Sequence, residues 1–156
     1  MSPGQGSTSG IYRDRQDEQD AWLLAFDKLC LVDVMTLLHE ELTGKVLGAC
    51  FEVCRELGAG FLESVYQKAL LIALRQRGIK AEAQFPLSVT FRGQVVGEFV
   101  ADILVEDKVL LELKAVKELA PEHQAQLINY LKATGIEEGL LINFGNPRLE
   151  YKRLHR

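Results

Sequence analysis

Apolar residues recur at helical spacing from Leu42 to Leu57, where Val46, Leu47, Cys50, Phe51, Cys54 and Leu57 follow a 3.6-residue period. Gly58 and Gly60 come next and suit a helix C-terminus with a tight connection. A second helix is predicted from about Phe61 to Arg77, with Leu62, Val65, Ala69 and Ala73 as its apolar stripe and Gly78 as its stop. The period then changes. Gln84 to Phe91, Val95 to Val105 and Val109 to Val116 are rich in Val, Phe, Leu and Ile, and Arg92-Gly93-Gln94 and Glu106-Asp107-Lys108 separate them. They read as a three-stranded meander, with Pro86 near the start or edge of the first strand.

A third helix opens after Ala120 with Pro121 at its first position and Glu122 in its first turn, and it ends near Gly135. Gly139 to Phe144 is a continuous apolar run, the mark of a strand buried on both faces, and Leu149 to Leu154 is a last, alternating and more exposed strand. Helix, three strands, helix, strand is the order of an α/β sandwich.

The stretch before residue 39 does not fit this pattern. Residues 1–10 are rich in Ser, Gly and Pro and read as a disordered tail, and 11–20 are strongly charged. Ala21 to Leu38 is apolar enough to raise a membrane question, but Asp27, Lys28 and Asp33 interrupt it and its upstream flank is acidic, so neither a spanning helix nor a signal peptide is expected. A docked helix, or translation that normally begins at Met35, are the two readings left. The expected division is an N-terminal extension over 1–38 and one domain over 39–156.

A chain of 156 residues with 47% hydrophobic and 26% charged residues fits one soluble domain with one core. Its net charge of -4 gives no global basic signal for nucleic acid, so any such contact must rest on local patches. Arg148, Lys152, Arg153 and Arg156 form one patch, which reads equally as the charged edge of a solvated strand. Cys30, Cys50 and Cys54 are an odd number and imply reduced thiols and a cytoplasmic setting. Cys50 and Cys54 stand four apart on a helix, but no second pair of zinc-ligand type follows, so they read as buried structural thiols.

Charges inside the strands carry the chemistry. Asp102 sits among Val100, Ala101, Ile103 and Leu104, while Glu112 and Lys114 interrupt Val109 to Val116. Buried charges cost free energy unless paired or bound to a metal. Glu112 and Lys114 are two apart and share a face. A two-residue loop at Glu106-Asp107 would set Asp102 opposite Leu111. A three-residue loop instead pairs Val105 with Val109, Ile103 with Leu111 and Asp102 with Glu112, and these apolar matches favour it. Two opposed carboxylates repel, and a divalent cation between them would reverse the sign. The competing reading is a buried ion pair in which Lys114 neutralises one acid.

On the second helix Glu63 and Tyr66 are three apart and share a surface at the edge of the apolar stripe. The plain alternative is a first-turn Glu favoured by the helix dipole and a packed Tyr with its hydroxyl in water. On the third helix Gln126 and Tyr130 are four apart with His123 one turn earlier, while Leu127 and Leu131 face the core. That row reads as a site border or a solvated rim, and His123 as a surface or structural residue.

Taken together, G-x-x-E-x-x-Y in GAGFLESVY, the strand Asp and E-x-K of FVADILVEDKVLLELKAV, and Q-x-x-x-Y in HQAQLINYLKATG before GLLINFG resemble the GxxExxY family over about His39 to His155. Members of that family are placed by resemblance in the PD-(D/E)XK nuclease superfamily. The resemblance implies a restriction-endonuclease-like α-β-β-β-α-β sandwich with a mixed sheet flanked by helices. It also implies Asp102 and Glu112 as ligands of Mg²⁺ or Mn²⁺, with Glu63 completing the acidic site and Lys114 orienting or helping to deprotonate water. Tyr66, Gln126 and Tyr130 are then the residues expected to border substrate.

The function expected from this resemblance is Mg²⁺-dependent hydrolysis of DNA or RNA phosphodiester bonds, with nucleic acid as partner and no membrane. The alternatives are a catalytically silent module of the same fold that binds nucleic acid or a protein, and an interaction domain whose acids are held in salt bridges.

Overall fold

A computed structural model describes residues 39–156; the expectations for residues 1–38, Cys30 among them, lie outside the described residues. Helix α1 covers residues 39–57. It buries Val46, Leu47, Ala49, Cys50, Val53 and Cys54. It ends where Gly58 takes a left-handed φ of 69° and donates its N–H to the Cys54 carbonyl at 2.9 Å.

Helix α2 spans Glu63–Gln76 and buries Tyr66, Leu70, Ala73 and Leu74. This corrects half of the expected stripe: Ala73 is buried and Ala69 packs on the core, but Leu62 is 77% exposed and Val65 37%, so the buried face is rotated toward Tyr66. The physical reason is in residues 69–74, where Ala, Leu, Leu, Ile, Ala and Leu run without a polar break and leave the helical phase undetermined.

Strands β1 (Ala81–Phe91) and β2 (Gln94–Val105) form a long hairpin closed by Arg92 and Gly93, both at positive φ (50° and 80°), a two-residue turn suited to the strand twist. Strand β3 (Val109–Lys114) pairs with β2 in the register expected from the apolar matches, Val105 with Val109 and Ile103 with Leu111. Glu106 and Asp107 in the connection have φ of 50° and 57°. Helix α3 (Pro121–Thr134) ends at Gly135, whose φ is 76°, and strand β4 (Glu138–Asn143) returns parallel to β3. Strand β5 (Glu150–His155) runs antiparallel to β4 and alternates between partly buried and exposed residues.

The sheet order is β1-β2-β3-β4-β5, a mixed five-stranded sheet flanked by helices. From α2 to β4 it is the α-β-β-β-α-β order of the expected restriction-endonuclease-like fold, with α1 and β5 added. Because side chains alternate along a strand, β3 divides its residues between two cores. Val109, Leu111 and Leu113 join Leu140 and Ile142 under α1 and α2, while Leu110 and Leu141 pack with Leu127 and Leu131 of α3. Pro86 lies inside β1, which is tolerable because β1 is an edge strand.

Candidate active site

Asp102 stands at a seam. Inward of it β2 pairs with both neighbours. The β2–β3 ladder stops at Ile103 and Leu111, and the β1–β2 ladder skips the Gln84–Asp102 position. Gln84 has a φ of 55°, a conformation that costs a non-glycine residue energy. Beyond the seam, β2 continues only as one arm of the hairpin with β1. The ladder bonds missing at Asp102 are replaced by side chains: Leu113 N–H donates to Asp102 Oδ2 at 2.7 Å, and Gln67 Nε2 of α2 donates to the Asp102 carbonyl at 2.8 Å.

Glu112, next along β3, is almost fully buried. Lys114 Nζ reaches its Oε1 at 3.5 Å, a long contact, while its Oε2 is buried with no hydrogen-bond partner. Burial, then the charge of Asp102, pushes the Glu112 carboxyl up to about 7, against smaller downward pulls from the Lys114 ammonium and the Asp102 N–H. Asp102 is also raised by burial, against the Leu113 N–H and Lys114. Glu63, in the first turn of α2, is raised by burial and by Asp102, with Lys114 and His123 pulling down. Asp102 thus couples to both other acids: after burial, its charge helps to raise Glu63 and Glu112, while Lys114 pulls all three down. Glu63, Gln67, Gln84 and Asp102 border a cavity of about 350 Å³.

Lys114 also donates to Gln126 Oε1 at 3.2 Å, and Gln126 Nε2 donates to the Tyr130 hydroxyl at 2.9 Å. A polar row therefore runs from Glu112 through Lys114 to Gln126 and Tyr130 on α3. In a salt-bridged interaction domain Lys114 would join both carboxylates and no cavity would adjoin them. Lys114 instead divides itself between Glu112 and Gln126, beside a cavity lined by Asp102 and Glu63.

Tyr66 is not brought to this place, which corrects its expected role at the substrate. It is fully buried, donates its hydroxyl to the Gly58 carbonyl at 2.8 Å and accepts the Phe61 N–H at 3.2 Å. Its ring stacks on Phe144 with centroids 4.7 Å apart, and Phe144 N–H donates to the Lys114 carbonyl. Tyr66 ties the turn before α2, and so Glu63, to the end of β3. His123 is structural: its Nδ1 accepts the Ala120 N–H at 3.0 Å and closes the start of α3.

Two residues that shape the site were not singled out from sequence. Asn143, fully buried at the end of β4, accepts the N–H groups of Val116 and Gly145 at 3.0 Å and donates to the Val116 carbonyl at 2.8 Å. It replaces the ladder where β3 stops at Lys114, short of the expected Val116. Gly145 is required there, since a β-carbon would sit 2.0 Å from the Val116 oxygen. A polar Asn inside the apolar run from Gly139 to Phe144 was the available signal. Gln67 carried none.

A mixed sheet whose seam gathers two strand acids and a lysine, with helices on either side, defines an α/β domain with an acidic site at the seam. A family model described as the PD-(D/E)XK nuclease superfamily matches residues 40–154, and the chain belongs to that superfamily. Among solved structures it is similar to the protein SSO0001, with 20% identity, a TM-score of 0.49, and coverage of 60% of this chain and 49% of that one. It is also similar to an alkaline exonuclease (LHK-Exo) from Laribacter hongkongensis, with 16% identity, a TM-score of 0.45, and coverage of 67% and 65%. The chain thus spans less than two thirds of the length of either. No curated protein matches it in sequence.

The superfamily implies a divalent cation. Among the described residues no three of His, Cys, Asp and Glu gather as a ready metal cage. The donor set nonetheless fits Mg²⁺ or Mn²⁺: these hard ions take one or two carboxylates and keep waters for the remaining positions. The unpartnered Glu112 Oε2 beside Asp102 is a donor of that kind.

Proposed function

We propose that this chain is a nuclease of the GxxExxY type that uses Mg²⁺ or Mn²⁺ to hydrolyse phosphodiester bonds of DNA or RNA. The observation that carries the reading is Glu112: a buried carboxylate oxygen without a partner, next to a second acid, is a standing cost that a bound cation removes. Asp102 and Glu112 would hold the ion, with Glu63 the third acid at its border. The ion, when bound, supplies charge stabilisation at the phosphate and a more acidic water.

The protein's own part is positioning. Lys114 has three N–H donors, and Glu112 and Gln126 engage two of them. The third is available to hold the attacking water or a phosphate oxygen in line. Tyr130 fixes Gln126, which fixes the ammonium. Asp102 is fixed by Leu113 N–H and Gln67, so its free oxygen keeps one direction. The buried free thiols of Cys50 and Cys54 suit a reducing, cytoplasmic setting. Among the described residues no helix is long and apolar enough to cross a membrane.

A second reading is a silent module of the same fold, in which the seam acids bind no ion; among the described residues no cluster of three ligands is found. One assay separates the two: purified protein incubated with single- and double-stranded DNA and RNA, with and without Mn²⁺, beside Lys114→Ala. Cleavage that needs Mn²⁺ and is lost in the variant supports the nuclease. Equal activity of parent and variant removes the assignment, and no cleavage of any substrate by the parent favours the silent module.

A further inference from the structure

Beyond the seam, the outer half of the β1–β2 hairpin leans toward α3 and the two enclose an open groove of about 750 Å³, separate from the cavity beside Asp102. One wall comes from the hairpin, where Val89, Val96 and Phe99 give an apolar surface between the hydroxyl residues Ser88 and Thr90. Phe99 is 46% exposed, and its ring packs against Tyr130 with centroids 5.9 Å apart. Gly97 leaves the room this ring occupies, since a β-carbon there would lie 2.9 Å from it. The other wall is polar and comes from α3, where Gln126, Asn129 and Lys132 line the space.

Two features restrict the occupant. The first is charge: none of the lining residues is acidic and one is Lys132, in a chain with 22 acidic residues. The second is continuity: Gln126 lines the groove and also holds Lys114 Nζ, so whatever lies there continues into the polar row that ends at Glu112. An apolar ring facing amide groups and an ammonium suits a flat heteroaromatic ligand with polar edges and a nearby negative charge. That is a nucleobase with its phosphate.

A duplex keeps its base faces stacked and their edges paired, whereas an unpaired nucleotide offers face and edge together. A groove of this volume is also in the range that encloses small molecules. Resting on the nuclease reading, we infer that the groove between the hairpin arm and α3 seats an unpaired nucleotide next to the scissile phosphate. Phe99 stacks on the base, Gln126 and Asn129 face its edge, and Lys132 lies near the backbone. The preferred substrate is therefore a single strand.

The test is equilibrium binding by fluorescence anisotropy in EDTA, where no cleavage can occur. The probes are a short labelled oligothymidine and the same strand annealed to its complement. The parent should bind the single strand more tightly than the duplex. Phe99→Ala, an exposed position whose loss leaves the core intact, should weaken single-strand binding by about 5- to 100-fold, with Phe99→Trp restoring it and duplex binding unchanged in both. Equal single-strand affinity of Phe99→Ala and parent, or a parent that prefers duplex, overturns the inference. A parent that binds the single strand through Phe99 but never cleaves it would sink the nuclease reading and leave the groove standing.

Discussion

On the side of β3 that faces α1 and α2, Val109, Leu111 and Leu113 are all fully buried and meet Leu140 and Ile142. On the side that faces α3, Leu110 begins the same way, but Glu112 and Lys114 follow, and Asn143 of β4 lies opposite Lys114. Six residues of one strand therefore serve two ends. The first side removes apolar surface from water and stabilises the fold. The second side gives up some of that stability to hold acids, an amine and an amide partly or fully out of water, and the orphaned Glu112 Oε2 marks the cost.

If the two sides differ in this way, substitutions on them should separate activity from stability. The largest effect is expected for Lys114→Ala, which should reduce Mn²⁺-dependent cleavage by about 10²- to 10³-fold, the range for loss of one preorganised donor. Its thermal midpoint should stay near that of the parent, as read by circular dichroism. Leu111→Ala should do the opposite. It opens a cavity in the face packed against α1 and α2 and should cost about 2–5 kcal/mol in urea unfolding. Folded Leu111→Ala should still cleave.

Next comes pH. The Glu112 carboxyl sits at about 7 in the folded protein against an ordinary value of 4.5, so the folded state holds a proton that the unfolded state has released. The stabilising contribution of the protonated group is full below about 4.5 and is lost as pH rises through about 7. Without metal, the parent should lose stability across that window. Glu112→Gln should flatten the loss and be more stable than the parent at pH 8 by about 1–3 kcal/mol, since one pKa unit is about 1.4 kcal/mol. Urea titrations at several pH values check this, and equal slopes for parent and variant would contradict it.

The smallest effect is expected for Tyr66→Phe. It keeps the stack on Phe144 but releases the Gly58 carbonyl and Phe61 N–H, for about 1 kcal/mol. Because that turn precedes Glu63, cleavage should fall with little change in substrate binding.

The legible parts of the molecule were those where one pattern had one solution. The β2–β3 register followed from matching Val105 with Val109 and Ile103 with Leu111, and Gly58, Gly78 and Gly135 marked helix ends because each takes a positive φ. Asp102, Glu112 and Lys114 stood out as charges in apolar strands. Less was legible where patterns were degenerate. The apolar run of residues 69–74 in α2 hid which side carries the core, and Tyr66 was therefore assigned to the rim instead of the interior. Gln84 gives no sign in its side chain of the left-handed backbone that opens the seam at Asp102. The groove under Phe99 depends on how far the hairpin arm leans toward α3, which no local spacing encodes.

The central claim is that Asp102 and Glu112 are kept under-compensated for a cation. Thermal melts of the metal-free protein at pH 8, with Mn²⁺ or Mg²⁺ added to a few millimolar, test it directly because a ligand that binds only the folded state raises its midpoint. The account predicts a rise for the parent that is absent in Asp102→Asn and Glu112→Gln, with Lys114→Ala still responding. No rise in the parent, or an equal rise in all four proteins, would contradict it.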